Sequence, residues 1–249
     1  MIRIGIIGGS GLENPDILKS PSAKTVVTPY GKLASPLLSG IISGRETVIL
    51  SRHGWHHTVP PSQVNNRANI FALKEAGCTH IIATSACGSL REEIGRGDIV
   101  IPDQFIDFTH HRIHTYFDEF EPDKMKHASM ADPFDSTLRD LLVTTAHDLG
   151  LKIHPKGTVI TIEGPRFSTR AESKMFRIWG ADIVNMSLAP EVILANELGI
   201  PYAAVAMSTD YDSWKEEEEP VTWEEVLKVF NENVSNVVQL IITVIGKIR

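Results

Sequence analysis

Cysteine is nearly missing: Cys78 and Cys87 are the only two in 249 residues. Two thiols cannot build a disulfide framework. Met1-Ile-Arg-Ile runs straight into a strand-like segment, without the basic start, apolar middle and cleavage site of an export signal, so a cytoplasmic location is expected. No apolar run reaches the roughly 20 residues that a bilayer span needs. The longest, Val237 to Ile245, is interrupted by Gln239 and Thr243, and no membrane partner is expected. Positive charge is in deficit, since 24 Lys and Arg against 31 Asp and Glu leave a net −7. Phosphate backbones select basic faces, so nucleic acid is not expected as a partner. Repeats, low-complexity tracts and linker-like stretches are lacking too, which leaves a single domain over residues 1–249.

What is present is an alternation of strand-like and helix-like segments, the mark of an α/β fold. Met1–Ile7, Glu46–Ser51, His80–Thr84, Gly157–Ile162, Ile183–Met186 and Tyr202–Met207 read as buried strands. Ser62 is the expected cap of a helix that runs to Glu75 and stops at Gly77. Asp135 caps a helix carrying Leu138, Leu141, Leu142, Thr145 and Leu149 on one stripe. Thr169 with Glu172, and Thr222 with Glu225, read as capping boxes. The second opens a long amphipathic helix with Val226, Phe230, Val234, Val237 and Ile241 inward. Pro190 sits where a helix start tolerates proline. The polar stretch Asp107–Asp132 reads as a long loop of functional or partner-contacting kind.

Ligands in open α/β sheets bind beyond the carboxyl ends of strands, and several loops there carry chemistry. Gly8-Gly-Ser-Gly11 is either a tight turn or an anion cradle. It lacks the third spaced glycine of a dinucleotide site and the GK[ST] end of a phosphate-binding loop, which counts against a non-catalytic NAD or nucleotide module. Arg52 is either a surface cation or a planar fork for an oxyanion. His53, His56 and His57 raise a metallohydrolase reading, but Gly54, Pro60 and Pro61 break the helix that would align them, and no full ligand set is present. Ser85-Ala-Cys-Gly-Ser89 permits close approach of a flat ring or an anion. Cys87 has no paired base that would make it a nucleophile. Phe167, in Glu163-Gly-Pro-Arg-Phe-Ser168, is either core or a stacking surface for a base. Ser187 precedes a helix start and is either an ordinary cap or part of an anion site. Asp210 and Asp212 fall on one side of an extended strand. Two carboxylates in one site resist double ionisation, and a protonated and an ionised acid together suit N7 and the exocyclic amine of a purine.

Taken together these motifs resemble the trimeric purine nucleoside phosphorylases. The likeness runs over nearly the whole chain, through Gly5-Ile-Ile-Gly-Gly-Ser-Gly, Thr28-Pro-Tyr-Gly-Lys, Ser51-Arg-His-Gly, Ala86-Cys-Gly-Ser-Leu-Arg-Glu-Glu, Thr161-Ile-Glu-Gly-Pro-Arg-Phe-Ser and Thr209-Asp-Tyr-Asp-Ser-Trp. It implies one domain with a central mixed twisted sheet flanked by helices. It implies a phosphate pocket from Ser10, Arg52, His53, Ser85, Ala86 and Ser187, with Met186 beneath the ribose and Phe167 beside the base. Asp210 and Asp212 match the pair that recognises a 6-aminopurine. His127, reaching in from a neighbouring subunit, and Ser168, Trp223, Val226 and Leu227 map around the 5′ substituent. Trp223 departs from the small aliphatic residue of the animal members. The implied activity is phosphorolysis of 5′-methylthioadenosine by a homotrimer. Inorganic phosphate is then a co-substrate, and no cofactor or metal is required. Adenosine, inosine and methylthioinosine are the rival substrates, and simple hydrolysis is the rival reaction.

Overall fold

The computed structural model describes residues 2–8, 17–218 and 221–249. Its strands are β1 (Arg3–Gly8), β2 (Lys19–Lys24), β3 (Val27–Thr28), β4 (Gly31–Lys32), β5 (Leu37–Ile42), β6 (Arg45–Ser51), β7 (His80–Ser89), β8 (Ile99–Val100), β9 (Gln104–Phe108), β10 (Ile153–His154), β11 (Thr158–Ile162), β12 (Ile183–Asn185) and β13 (Tyr202–Asp210). The helices are α1 (Asn66–Glu75), α2 (Ser136–Asp148), α3 (Arg170–Ile178), α4 (Leu188–Glu197) and α5 (Trp223–Lys247). Eleven strands form one mixed sheet in the path β10-β8-β13-β7-β1-β6-β5-β2, with β12, β11 and β9 branching from β7. β3 and β4 make a separate two-stranded pair.

The centre of the sheet, β6, β1, β7 and β13, is parallel. Alternation along these strands sorts the core into two layers. Ile4 and Ile6 of β1, with Ala203, Val205 and Met207 of β13, pack under α2 and α5. Ile7, Ala204 and Ala206 face α1 and α4 instead. Each Ile or Leu so buried contributes about 1.5–3 kcal/mol. Strand β7 serves both halves of the sheet. Ile4–Ile7 of β1 pair with its first residues, and Val184 and Ile183 of β12 pair antiparallel with Gly88 and Ser89 at its end.

Several boundaries differ from the expected ones for identifiable reasons. The cap of α1 is Asn65, whose side chain accepts from Ala68 N–H at 3.1 Å, and not Ser62, which lies in a single 3₁₀ turn opened by Pro61. β7 and β13 run past Thr84 and Met207 because small residues continue the ladder where apolar ones stop. Asp135 does cap α2, at 2.8 Å from Leu138 N–H. Thr169 and Glu172 close both bonds of a capping box. At Thr222 the hydroxyl accepts from Glu225 N–H at 3.3 Å, the one half of the second box found among the described residues. Helix α5 is long enough and, at a mean hydropathy of 1.2 over its most apolar stretch, apolar enough to cross a membrane. Yet Phe230, Val237, Leu240, Ile241, Val244 and Ile245 are buried in the layer beneath the sheet. That is the stripe of a core helix.

Candidate active site

The carboxyl ends of β6, β7 and β13 and the turn after β12 open onto one cleft of about 760 Å³, its mouth included. The polar residues divide into two groups at its two ends.

The first group combines a guanidinium, an imidazole and hydroxyls. Arg52 leaves the end of β6 and is 2% exposed. Its Nε donates to Glu191 Oε1 at 2.5 Å and one terminal nitrogen to Glu191 Oε2 at 2.9 Å, while the other meets the Thr84 carbonyl at 2.9 Å. His53 engages the Val59 carbonyl through Nδ1 at 2.8 Å. Burial and the adjacent Arg52 push its pKa down to about 3, so the ring is neutral at physiological pH. Asn185 Nδ2 donates to Ser85 Oγ at 3.1 Å, and Ser85 Oγ lies 3.3 Å from Ser187 Oγ. Asn185 is itself fixed by the Thr161 hydroxyl at 2.7 Å. The two serine hydroxyls are thus oriented from behind, and Ser187 makes no side-chain cap to its own helix, α4. Ala86 lines the same wall. Ser10 lies outside the described residues.

The second group holds the acids. The pairing of β13 with β7 slips between Ser208 and Asp210, which brings Asp210 beside Gly88. A Cβ on Gly88 would stand 2.8 Å from Asp210 Oδ1, so the close approach requires glycine,. Asp212 reaches the same cleft by a different route from the extended strand expected. The strand ends at Asp210, Asp212 takes a left-handed φ of 46°, and its N–H donates to Asp210 Oδ1 at 2.8 Å. Thr209 Oγ donates to Asp210 Oδ2, also at 2.8 Å. Burial raises the Asp210 pKa from 3.8 to about 6, against the pull of these two bonds. Burial raises Asp212 as well, opposed by the nearby Ser173 and Ser168 hydroxyls. Asp212 Oδ2 is buried with no hydrogen-bond partner among the described residues. The residue itself lines the cleft.

Met186, Phe167, Trp223 and Val226 line the cleft as well. Met186 packs against Gly164, where a Cβ would come within 2.5 Å of its sulfur. Ser168 is buried behind the wall and Leu227 does not line the cleft. His127 is exposed, beside Phe120 at 5.7 Å between ring centroids, and outside the cleft of its own chain. His53 and His57 stack at 4.3 Å, and His57 meets Trp223 at 5.3 Å. Rings stacked face to face do not converge their lone pairs on one ion. Among the described residues no three His, Cys, Asp or Glu side chains gather as a metal site.

The model of the Phosphorylase superfamily matches residues 3–246. The chain belongs to the phosphorylase superfamily. Among curated members it is 53% identical over 249 residues to the S-methyl-5′-thioadenosine phosphorylase of Danio rerio, covering 99% of this chain and 89% of that one. Among solved structures it resembles the methylthioadenosine phosphorylase of Schistosoma mansoni in complex with adenine, at a TM-score of 0.93 and 42% identity over 99% and 91% of the two chains. A variant of the adenosine/methylthioadenosine phosphorylase of Schistosoma mansoni in complex with methylthioadenosine gives a TM-score of 0.92 at 40% identity, again over 99% and 91%.

Three residues in or behind this superfamily member's cleft escape sequence reasoning. Glu191 reads as an acid in the first turn of α4, and its partner Arg52 is 139 residues away. Asn185 reads as a strand end. His57 reads only as one of three clustered histidines, whereas it bridges His53 and Trp223.

Proposed function

We propose that the protein catalyses phosphorolysis of 5′-methylthioadenosine to adenine and 5-methylthioribose 1-phosphate, as a pentosyltransferase acting in the cytoplasm. The reading rests chiefly on one arrangement: a single cleft with oriented hydroxyls and a guanidinium at one end and two buried acids at the other. A nucleoside laid between them presents C1′ to the phosphate and N7 and N6 to the acids. Its 5′ substituent points toward Trp223. The names of the relatives support this substrate class.

In the proposed reaction the C1′–N9 bond breaks with its electron pair passing to the purine. Asp210 stabilises the proton or positive charge gained at N7. Asp212 accepts from the N6 amine. The sugar passes through an oxocarbenium-like state, as in other glycosyl transfers. Phosphate, held by Ser10, Arg52, His53, Ser85, Ala86 and Ser187, adds to C1′. The protein contributes position and fixed dipoles, so neither a covalent enzyme intermediate nor a cofactor is needed. Met186 supports the ribose and Phe167 flanks the base. Trp223 and Val226 flank the 5′ group. His127 reaches the same group from a neighbouring subunit of a homotrimer.

Adenosine is the second reading, favoured by Trp223, whose bulk at the mouth suits a smaller 5′ group. Adenine release from 5′-methylthioadenosine and adenosine, with and without phosphate, tests both. Release that requires phosphate and yields the sugar 1-phosphate is the expected result. Release at the same rate without phosphate would make the protein a hydrolase and refute the proposal.

A further inference from the structure

We infer that Glu191, anchored by Tyr202, is a positioning residue that aims Arg52 at the phosphate. The inference rests on the phosphorolytic reading of the cleft. Glu191 is 1% exposed and sits in the first turn of α4, facing β13 and the end of β6. Its two oxygens take the Nε and one terminal nitrogen of Arg52 side by side. Tyr202, on β13, donates its hydroxyl to Glu191 Oε2 at 2.7 Å. Burial and the neighbouring Glu191 carboxylate raise the Tyr202 phenol far above its ordinary value, so it remains a donor. With the bond to Thr84, three N–H groups of the guanidinium are fixed, and three points define a plane. A planar fork held this way presents its edge to the cleft in one direction only.

A plain structural pair is the competing account, because an isolated buried guanidinium is costly and any acid nearby would relieve it. Coulomb's law separates the two. Glu191 carries the same sign as phosphate. If it served only to balance charge, replacing it with a neutral amide would tighten phosphate binding. If it aims the fork, the same replacement loosens phosphate and leaves the nucleoside alone. Gln fills the same volume but offers one acceptor in place of two, so the side-by-side grip is lost.

The test is steady-state kinetics of wild type, Glu191→Gln and Tyr202→Phe, varying phosphate at saturating nucleoside and the reverse. Phosphate dependence of the wild type comes first, and its absence would sink the underlying reading and not this one alone. The expected result is a phosphate KM at least tenfold higher in Glu191→Gln and two- to threefold higher in Tyr202→Phe, with the nucleoside KM within twofold. A phosphate KM that is unchanged or lower, or two KM values that rise together, overturns the inference. If Glu191→Gln is not recovered folded, Tyr202→Phe decides it: an unchanged phosphate KM there is equally fatal.

Discussion

Replacing Asp210 with Asn is expected to trade activity for stability, with a pH dependence that the buried carboxyl dictates. The folded-state pKa of Asp210, about 6, lies above its ordinary 3.8. The native protein therefore holds the proton more tightly than the unfolded chain does. The resulting stabilisation is complete below the unfolded value and is lost as the pH rises through the folded one. At 1.36 kcal/mol per pH unit, the ionised carboxylate costs about 3 kcal/mol above pH 6. Asn removes that cost. Its oxygen still accepts the Asp212 N–H, and Thr209 is able to turn its hydroxyl to the Cys87 carbonyl, 3.3 Å away. Exchanging charge-assisted bonds for neutral ones gives back about 1 kcal/mol. The net gain of about 2 kcal/mol corresponds to a Tm higher by about 4–8 °C at pH 8 for a chain of this length. At pH 4.5 most of the difference is gone. Thermal unfolding of both proteins from pH 4.5 to 8 measures it. The comparison cancels His53, whose depressed pKa gives a contribution present above pH 6.5 and lost as pH falls toward 3. The same variant should lose at least tenfold in kcat/KM on adenine nucleosides. A Tm difference that ignores pH, or a variant less stable than wild type at pH 8, refutes the assignment of Asp210 as a buried, costly acid.

Gly88→Ala places a methyl group 2.8 Å from Asp210 Oδ1. Asp210 must move, so kcat/KM should fall at least a hundredfold, about 3 kcal/mol of transition-state stabilisation, while phosphate-induced thermal stabilisation persists; loss of both together would assign the damage to folding. Trp223→Val tests the mouth of the cleft. If the indole covers a thioether, the contact contributes about 0.3–1.5 kcal/mol, and the preference for 5′-methylthioadenosine over adenosine should drop about two- to twelvefold. A preference that rises would show that Trp223 crowds the methylthio group. Incubation with a chelator should leave the rate unchanged, because His53 and His57 stack on each other instead of converging; inactivation reversed by added zinc would restore the metallohydrolase reading.

The parts of the site that the sequence made legible are those whose chemistry is local. Thr169 announces a helix start because its cap partner, Glu172, is three residues on. Asp210 and Asp212 announce a shared site because they are two residues apart, although the left-handed turn at Asp212 that joins them was not foreseen. Glu191 was invisible for the opposite reason. Nothing near it in sequence distinguishes an acid that complements a helix dipole from one that grips an arginine on a distant strand. Ser62 failed as a cap because the two preceding prolines commit the chain to a tighter turn before Asn65 takes the role. The extra length of β7 and β13 was hidden by their Ser, Cys, Gly and Thr residues. These pair through the backbone as well as valine does, and they are small because the cleft needs room.

Among the described residues strand β7 pairs with β13 from Ile81 to Gly88, and on its other edge with β1 as far as Ala83 and with β12 from Gly88 onward. Where both edges are paired, from Ile81 to Ala83, the amides exchange with solvent only when the whole domain opens, at a free energy near that of global unfolding. Ser85, Ala86, Cys87 and Gly88 ride on that strand. From Thr84 to Cys87 the pairing is with β13 alone, so this floor of the cleft rests on a single ladder, and any opening of β13 would release it together with the acid at that strand's end.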